Sequence, residues 1–201
     1  DAFLRLPKMP KQRCVADAEL LMRRKLLPSK LLRNLVESYM PDGSTPENTL
    51  VVHLRYHAGE YGVHPEYCQT GKFVCIGRFQ LFRVPIDEFS RRVLAYAHAR
   101  NCTHVFPIMP HFIEEPTQRA ICEGLGFEFD NLISRRKLNP HNTLLIERAL
   151  AATSKEFLAE IESTSFTLTI EEQRLGLNLS MVFSVDKLMG NSKIPMDQKH
   201  R

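Results

Sequence analysis

Between residues 28 and 184, short runs of β-branched and apolar residues alternate with segments whose apolar residues recur at helical spacing. That alternation is the strongest constraint on the fold. A strand followed by a helix-length crossover and another strand builds a parallel sheet, and the crossovers cover its faces. Leu50–Tyr56 reads as a buried strand, and 102–108, 127–129, 156–161 and 181–184 as further strands. A short helix is expected over 15–27. A clearer one opens at Pro28-Ser29, with Leu31, Leu32, Leu35, Val36 and Met40 on one stripe, and ends at Pro41-Asp42-Gly43. Pro85 opens a helix whose stripe is Ile86, Phe89, Val93, Tyr96 and Ala97. Helices follow at 116–123, 143–152 and 164–175, with Gly176 in the place of a C-cap glycine. The stretch 57–84 reads as irregular, and 130–142 is basic and polar.

The expected fold class is therefore α/β, with a Rossmann-like, doubly wound, mostly parallel sheet over residues 28–184. Residues 1–27, basic and interrupted by Pro7 and Pro10, read as a linker and partial helix belonging to an upstream region. Residues 185–201 are polar and aperiodic and read as a disordered tail.

Composition narrows the function classes. Twenty-seven basic against 23 acidic residues leave a charge of +4 on 201 residues, too mild to argue for nucleic acid. No apolar run reaches the roughly 18 residues of a membrane span. The chain starts at Asp1, so a targeting segment or membrane anchor is expected only in a region upstream. Of five cysteines, Cys68 and Cys75 are close enough for a small disulfide loop, and two unpaired thiols fit equally. Asn101-Cys102-Thr103 and Asn178-Leu179-Ser180 match the glycosylation pattern, at about the frequency that chance supplies.

Ligands of open α/β sheets bind beyond the carboxyl ends of the strands, which directs attention to the residues just after each one. His53 and Arg55 share one face of the first strand, and Leu54 takes the other. An arginine at the end of a buried strand needs an anion, and its planar fork suits phosphate; pairing with Glu60 or Glu66, or solvation, serves equally. Glu162-Ser163-Thr164-Ser165-Phe166 places hydroxyls where a strand passes into a helix. There they either cap bare N–H groups or share them with a bound phosphate. His53, His57, His64 and Cys68 have a faint metal-ligand rhythm. Four extended residues span about 13 Å, too far for shared tetrahedral ligation, so no metal is expected. Thr169 and Glu172 match a capping box but fall inside a helix. Glu114-Glu115 point apart more readily than together. No glycine-rich nucleotide fingerprint and no nucleophile elbow is present.

Taken together, Val52-His53-Leu54-Arg55 and, about 110 residues on, Leu144–Leu150, Phe157–Ile161, Ser163-Thr164-Ser165-Phe166 and Arg174 resemble the GDP-fucose protein O-fucosyltransferase superfamily. The resemblance covers roughly residues 28–182. It implies the donor-binding, C-terminal half of a GT-B glycosyltransferase. Arg55 would then hold the β-phosphate and act as the catalytic cation. His53 would support the nucleotide or sugar, and Thr164, Ser165 and Phe166 would complete the donor site. The implied reaction is inverting, metal-independent transfer of fucose from GDP-fucose to a Ser/Thr hydroxyl of a protein or glycan acceptor. It needs no cofactor and takes place in the lumen of the secretory pathway. Where relatives carry an acidic turn of the Ala-Thr-Asp kind, this chain reads Val105-Phe106-Pro107-Ile108-Met109-Pro110-His111. Two alternatives stand beside this expectation: a noncatalytic or degenerate Rossmann-like binding module, and a metal-assisted hydrolase using His53, His57 and His64.

Overall fold

β1 (Thr49–His53) is the centre of the molecule. Leu50, Val51 and Val52 have no exposed surface, as a strand covered on both faces requires. The computed structural model describes residues 29–55, 71–76, 82–110, 113–138, 142–160 and 165–195. Among these, β4 (His104–Ile108), β1, β5 (Glu156–Ala159) and β6 (Phe183–Ser184) form a four-stranded sheet in the order β4-β1-β5-β6, every pair parallel. Val51 lies opposite Phe106 on one side and Phe157 on the other. The outer place of β4 suits Pro107, which lacks the N–H that a central strand must donate.

Among the described residues, seven α-helices accompany the sheets: α1 (Lys30–Tyr39), α2 (Ile86–Ala99), α3 (Glu115–Gly124), α4 (Phe129–Leu138), α5 (Thr143–Thr153), α6 (Ser165–Gly176) and α7 (Val185–Met189). Ser29 caps α1 through its side chain, which accepts from the Leu32 N–H. α5 packs on α1 and on α6, and α2 packs on α3 and α7. Two groups of helices are what right-handed crossovers produce when the chain first moves to one side of β1 and then to the other. The fold is α/β with a parallel sheet, compatible with a Rossmann-like arrangement.

Several sequence expectations are corrected. The stretch 57–84 is not wholly irregular: β2 (Phe73–Ile76) and β3 (Phe82–Pro85) pair antiparallel within it. Residues 127–129 are not a strand. Phe129 opens α4, and Phe127 is buried from the preceding turn, edge-on to Phe106 with centroids 5.1 Å apart. Most of 130–142 is α4, whose last turn carries Arg135, Arg136 and Lys137 where the helix dipole favours cations. Residues 185–195 hold α7 and β7 (Ile194–Pro195), which adds to β3. Gly176 is the last residue of α6, and Asn178 takes the left-handed position after it, with φ 57°. The expectations for 1–27 and for 196–201 lie outside the described residues.

Candidate functional site

The chain passes from β1 to β4 on one side, then crosses back to β5 on the other. The direction reverses between β1 and β5, and the crevice outside their carboxyl ends is where such sheets bind ligands. His53 closes β1 there, in register with Ala159 at the end of β5. Beyond the strands the pairing continues. The Glu160 N–H donates to the His53 carbonyl at 3.0 Å, and the Leu54 N–H donates to Ile108 O at 2.9 Å. The Arg55 N–H donates to the Glu160 carboxylate, Oε2, at 2.7 Å.

Two of the residues singled out in sequence meet directly. The His53 imidazole packs on Phe166 in the first turn of α6, with ring centroids 4.6 Å apart. Its Nδ1 is buried without a hydrogen-bond partner. Burial first, and then the Arg55 cation, pull its pKa down from 6.5 to about 4, so the ring is neutral at pH 7. Past the end of β1, Leu54 is fully buried and Arg55 half-buried. Thr164, the Ser165 side chain, His57, His64 and Cys68 lie outside the described residues. Among the described residues no group of three or more His, Cys, Asp or Glu is placed to hold a metal, and no helix is long and apolar enough to cross a membrane.

Sequence reasoning gave Glu160 no role of its own, although it lies within the Phe157–Ile161 segment of the resemblance; the pairing of β1 with β5 brings its carboxylate to the Arg55 N–H. Sequence reasoning missed a buried cluster by the carboxyl end of β4. Tyr39 donates its hydroxyl to Glu147 Oε1 at 3.0 Å, and Arg136 donates to the same oxygen at 3.1 Å and to Met109 O at 2.9 Å. Burial pushes the Glu147 carboxyl up, and Arg136 opposes the shift. Arg174, part of the sequence resemblance, is fully buried and points into the fold. It donates to Ala151 O, Ser154 O, Lys155 O and Ser180 O at 2.7–3.0 Å. Cys102 and Cys122 are free and buried, whereas Cys75 is disulfide-bonded to a partner outside the described residues.

A separate cleft of about 630 Å³ lies by the amino end of β4. Thr103, His104 and Phe106 line it together with Asp42, Phe127 and Glu128. None of the donor-site residues predicted from sequence lines it.

These features define an α/β domain with a parallel sheet and a candidate crevice at its switch point. No family model, curated protein or solved structure matches the chain.

Proposed function

We propose that the crevice binds the diphosphate of a nucleotide sugar, and that the domain is the Rossmann-like donor half of a GT-B glycosyltransferase. The observation that carries this reading is the contact of His53 with Phe166. It joins, at the switch point, the ends of the two segments on which the fucosyltransferase resemblance rests. GDP-fucose is the donor that resemblance implies, and a protein or glycan hydroxyl the acceptor. Cleavage of the glycosyl–phosphate bond puts charge on the departing diphosphate. Arg55 and the N–H groups that open α6 would meet that charge more strongly in the transition state than in the ground state. His53, neutral and with Nδ1 unpartnered, offers a hydrogen bond to the bound nucleotide or sugar. No metal or cofactor enters this reading. The Cys75 disulfide supports an oxidising compartment such as the secretory lumen.

A second reading, a noncatalytic binding module, is favoured by the cleft at the opposite end of the sheet, which is independent of the donor residues. Thermal unfolding with GDP separates the two. Ligand at 100 times its Kd should stabilise the donor domain by about 2.7 kcal/mol, and Arg55→Ala should abolish that gain. A midpoint that no guanine nucleotide moves would refute the donor reading.

A further inference from the structure

Glu160 is the first residue past β5 and only 3% exposed. Its carboxylate accepts the Arg55 main-chain N–H at 2.7 Å, and its own N–H donates to His53 O at 3.0 Å. The two bonds tie the end of β5 to the end of β1. They also set a buried carboxylate where the donor-site reading brings an anion. Burial makes such a charge costly, and it extends the reach of its field. A site built only to attract anions gains nothing from it.

We infer that Glu160 sets the charge preference of this crevice: it holds the Arg55 main chain in place, and its negative charge favours a diphosphate ester over the free diphosphate left after transfer. The inference rests on the donor-site reading. A nucleotide sugar carries one negative charge on each phosphate. When the glycosyl C–O bond breaks, the bonding pair stays on the phosphate oxygen. The acceptor oxygen forms the new C–O bond and releases its proton. The terminal phosphate of the product then carries up to one further charge at neutral pH, because its second ionisation lies near pH 6. Arg55 attracts both species, and Glu160 repels the product more than the donor, which speeds departure.

The test is calorimetric binding of GDP and of GDP-fucose to the wild-type chain, Glu160→Gln and Glu160→Ala, with deuterium exchange at the Arg55 amide and the unliganded midpoint of each. Glutamine keeps an oxygen for the Arg55 N–H and loses the charge. In that variant GDP should bind more tightly while GDP-fucose gains less, so the ratio of the two constants shifts toward GDP by about threefold or more. The Arg55 amide should stay protected. Alanine should expose that amide and weaken both ligands by about tenfold. A purely structural role would lower the midpoint and both affinities without moving the ratio. An unchanged ratio in folded Glu160→Gln, with both ligands still bound, overturns the charge preference and leaves the donor reading intact. A wild-type chain that binds neither nucleotide overturns the donor reading and the charge preference together. An Arg55 amide equally protected in Glu160→Ala overturns the positioning role in either case.

Discussion

The imidazole of His53 lies against the ring of Phe166, centroids 4.6 Å apart and planes inclined by 36°. One residue ends β1 and the other sits in the first turn of α6, so the contact spans the switch point of the sheet. Phe166 takes water away from one face of the imidazole, and the desolvated ring resists protonation.

That burial has a pH signature. The folded pKa of about 4 lies below the ordinary 6.5, so between these values the unfolded chain binds more protons than the folded one. Stability should therefore fall as pH drops from 6.5 to 4, by on the order of 3 kcal/mol from this group. His53→Phe should lose that part of the slope. Urea unfolding of both proteins at pH 4.5 and 7 measures it, and parallel pH profiles would rule the effect out.

Arg174 links the end of α5, the entry to β5 and the turn after α6, its guanidinium accepted by Ala151 O, Ser154 O, Lys155 O and Ser180 O. Desolvation pulls its pKa down to about 10, which leaves it charged at neutral pH. Arg174→Met should cost about 3–4 kcal/mol, because four carbonyls lose a charged donor in a buried place. The unfolding midpoint should drop by roughly 10 °C. A drop of a degree or two would show that the turn relaxes and water satisfies the carbonyls.

Gly124 lets α3 approach α2. A Cβ there would overlap Ser90 Oγ, a buried hydroxyl without a hydrogen-bond partner. Gly124→Ala should destabilise by about 1–3 kcal/mol through overpacking. Ser90→Ala alone should be nearly neutral, since it removes an unsatisfied polar group. The double variant should recover part of the loss, as denaturant midpoints of the three proteins would reveal. Strict additivity would mean that the two helices do not meet as described.

Glu88 on α2 accepts from Arg92 Nε, from Ser192 Oγ at 2.7 Å and from Arg91 Nε at 2.8 Å. Arg92 also donates to Leu188 O at 3.0 Å. The Arg92 hydrogen bond, then those from Ser192 and Arg91, hold the Glu88 carboxyl near 2. The folded value is depressed, so this contribution is present above the ordinary 4.5 and is lost as pH falls toward 2. Glu88→Gln should therefore raise deuterium uptake in 185–195 at pH 7, and acid should do the same to the wild type. Added salt should weaken the effect, because the group is partly solvated. Identical uptake in both proteins would discard this role for Glu88.

What the sequence showed depended on how local the signal was. The unbroken apolar run of β1 and the long stripe of α2 carry their own periodicity. β2 and β3 are four residues each, too short to show a period, and they hold their shape by pairing with one another and, for β3, with β7. Phe127-Glu128-Phe129 alternates like a strand, yet three residues with period two also fit a turn entering a helix. The segment 130–142 showed only its basic and polar character in the sequence. In the fold, Arg135 donates to Tyr39 O and Met40 O, and Arg136 to Met109 O, partners far away along the chain.

The sequence by itself determined an α/β chain, the covered strand β1, and the position of His53 at its end. Those properties follow from side-chain spacing between near neighbours. Only the tertiary structure decided that β5 lies beside β1, that Phe166 meets His53, and that the Glu160 carboxylate takes the Arg55 N–H. Each of these joins residues more than 100 positions apart. Strand order is set by the packing of the two helix groups on the sheet, which no local pattern encodes.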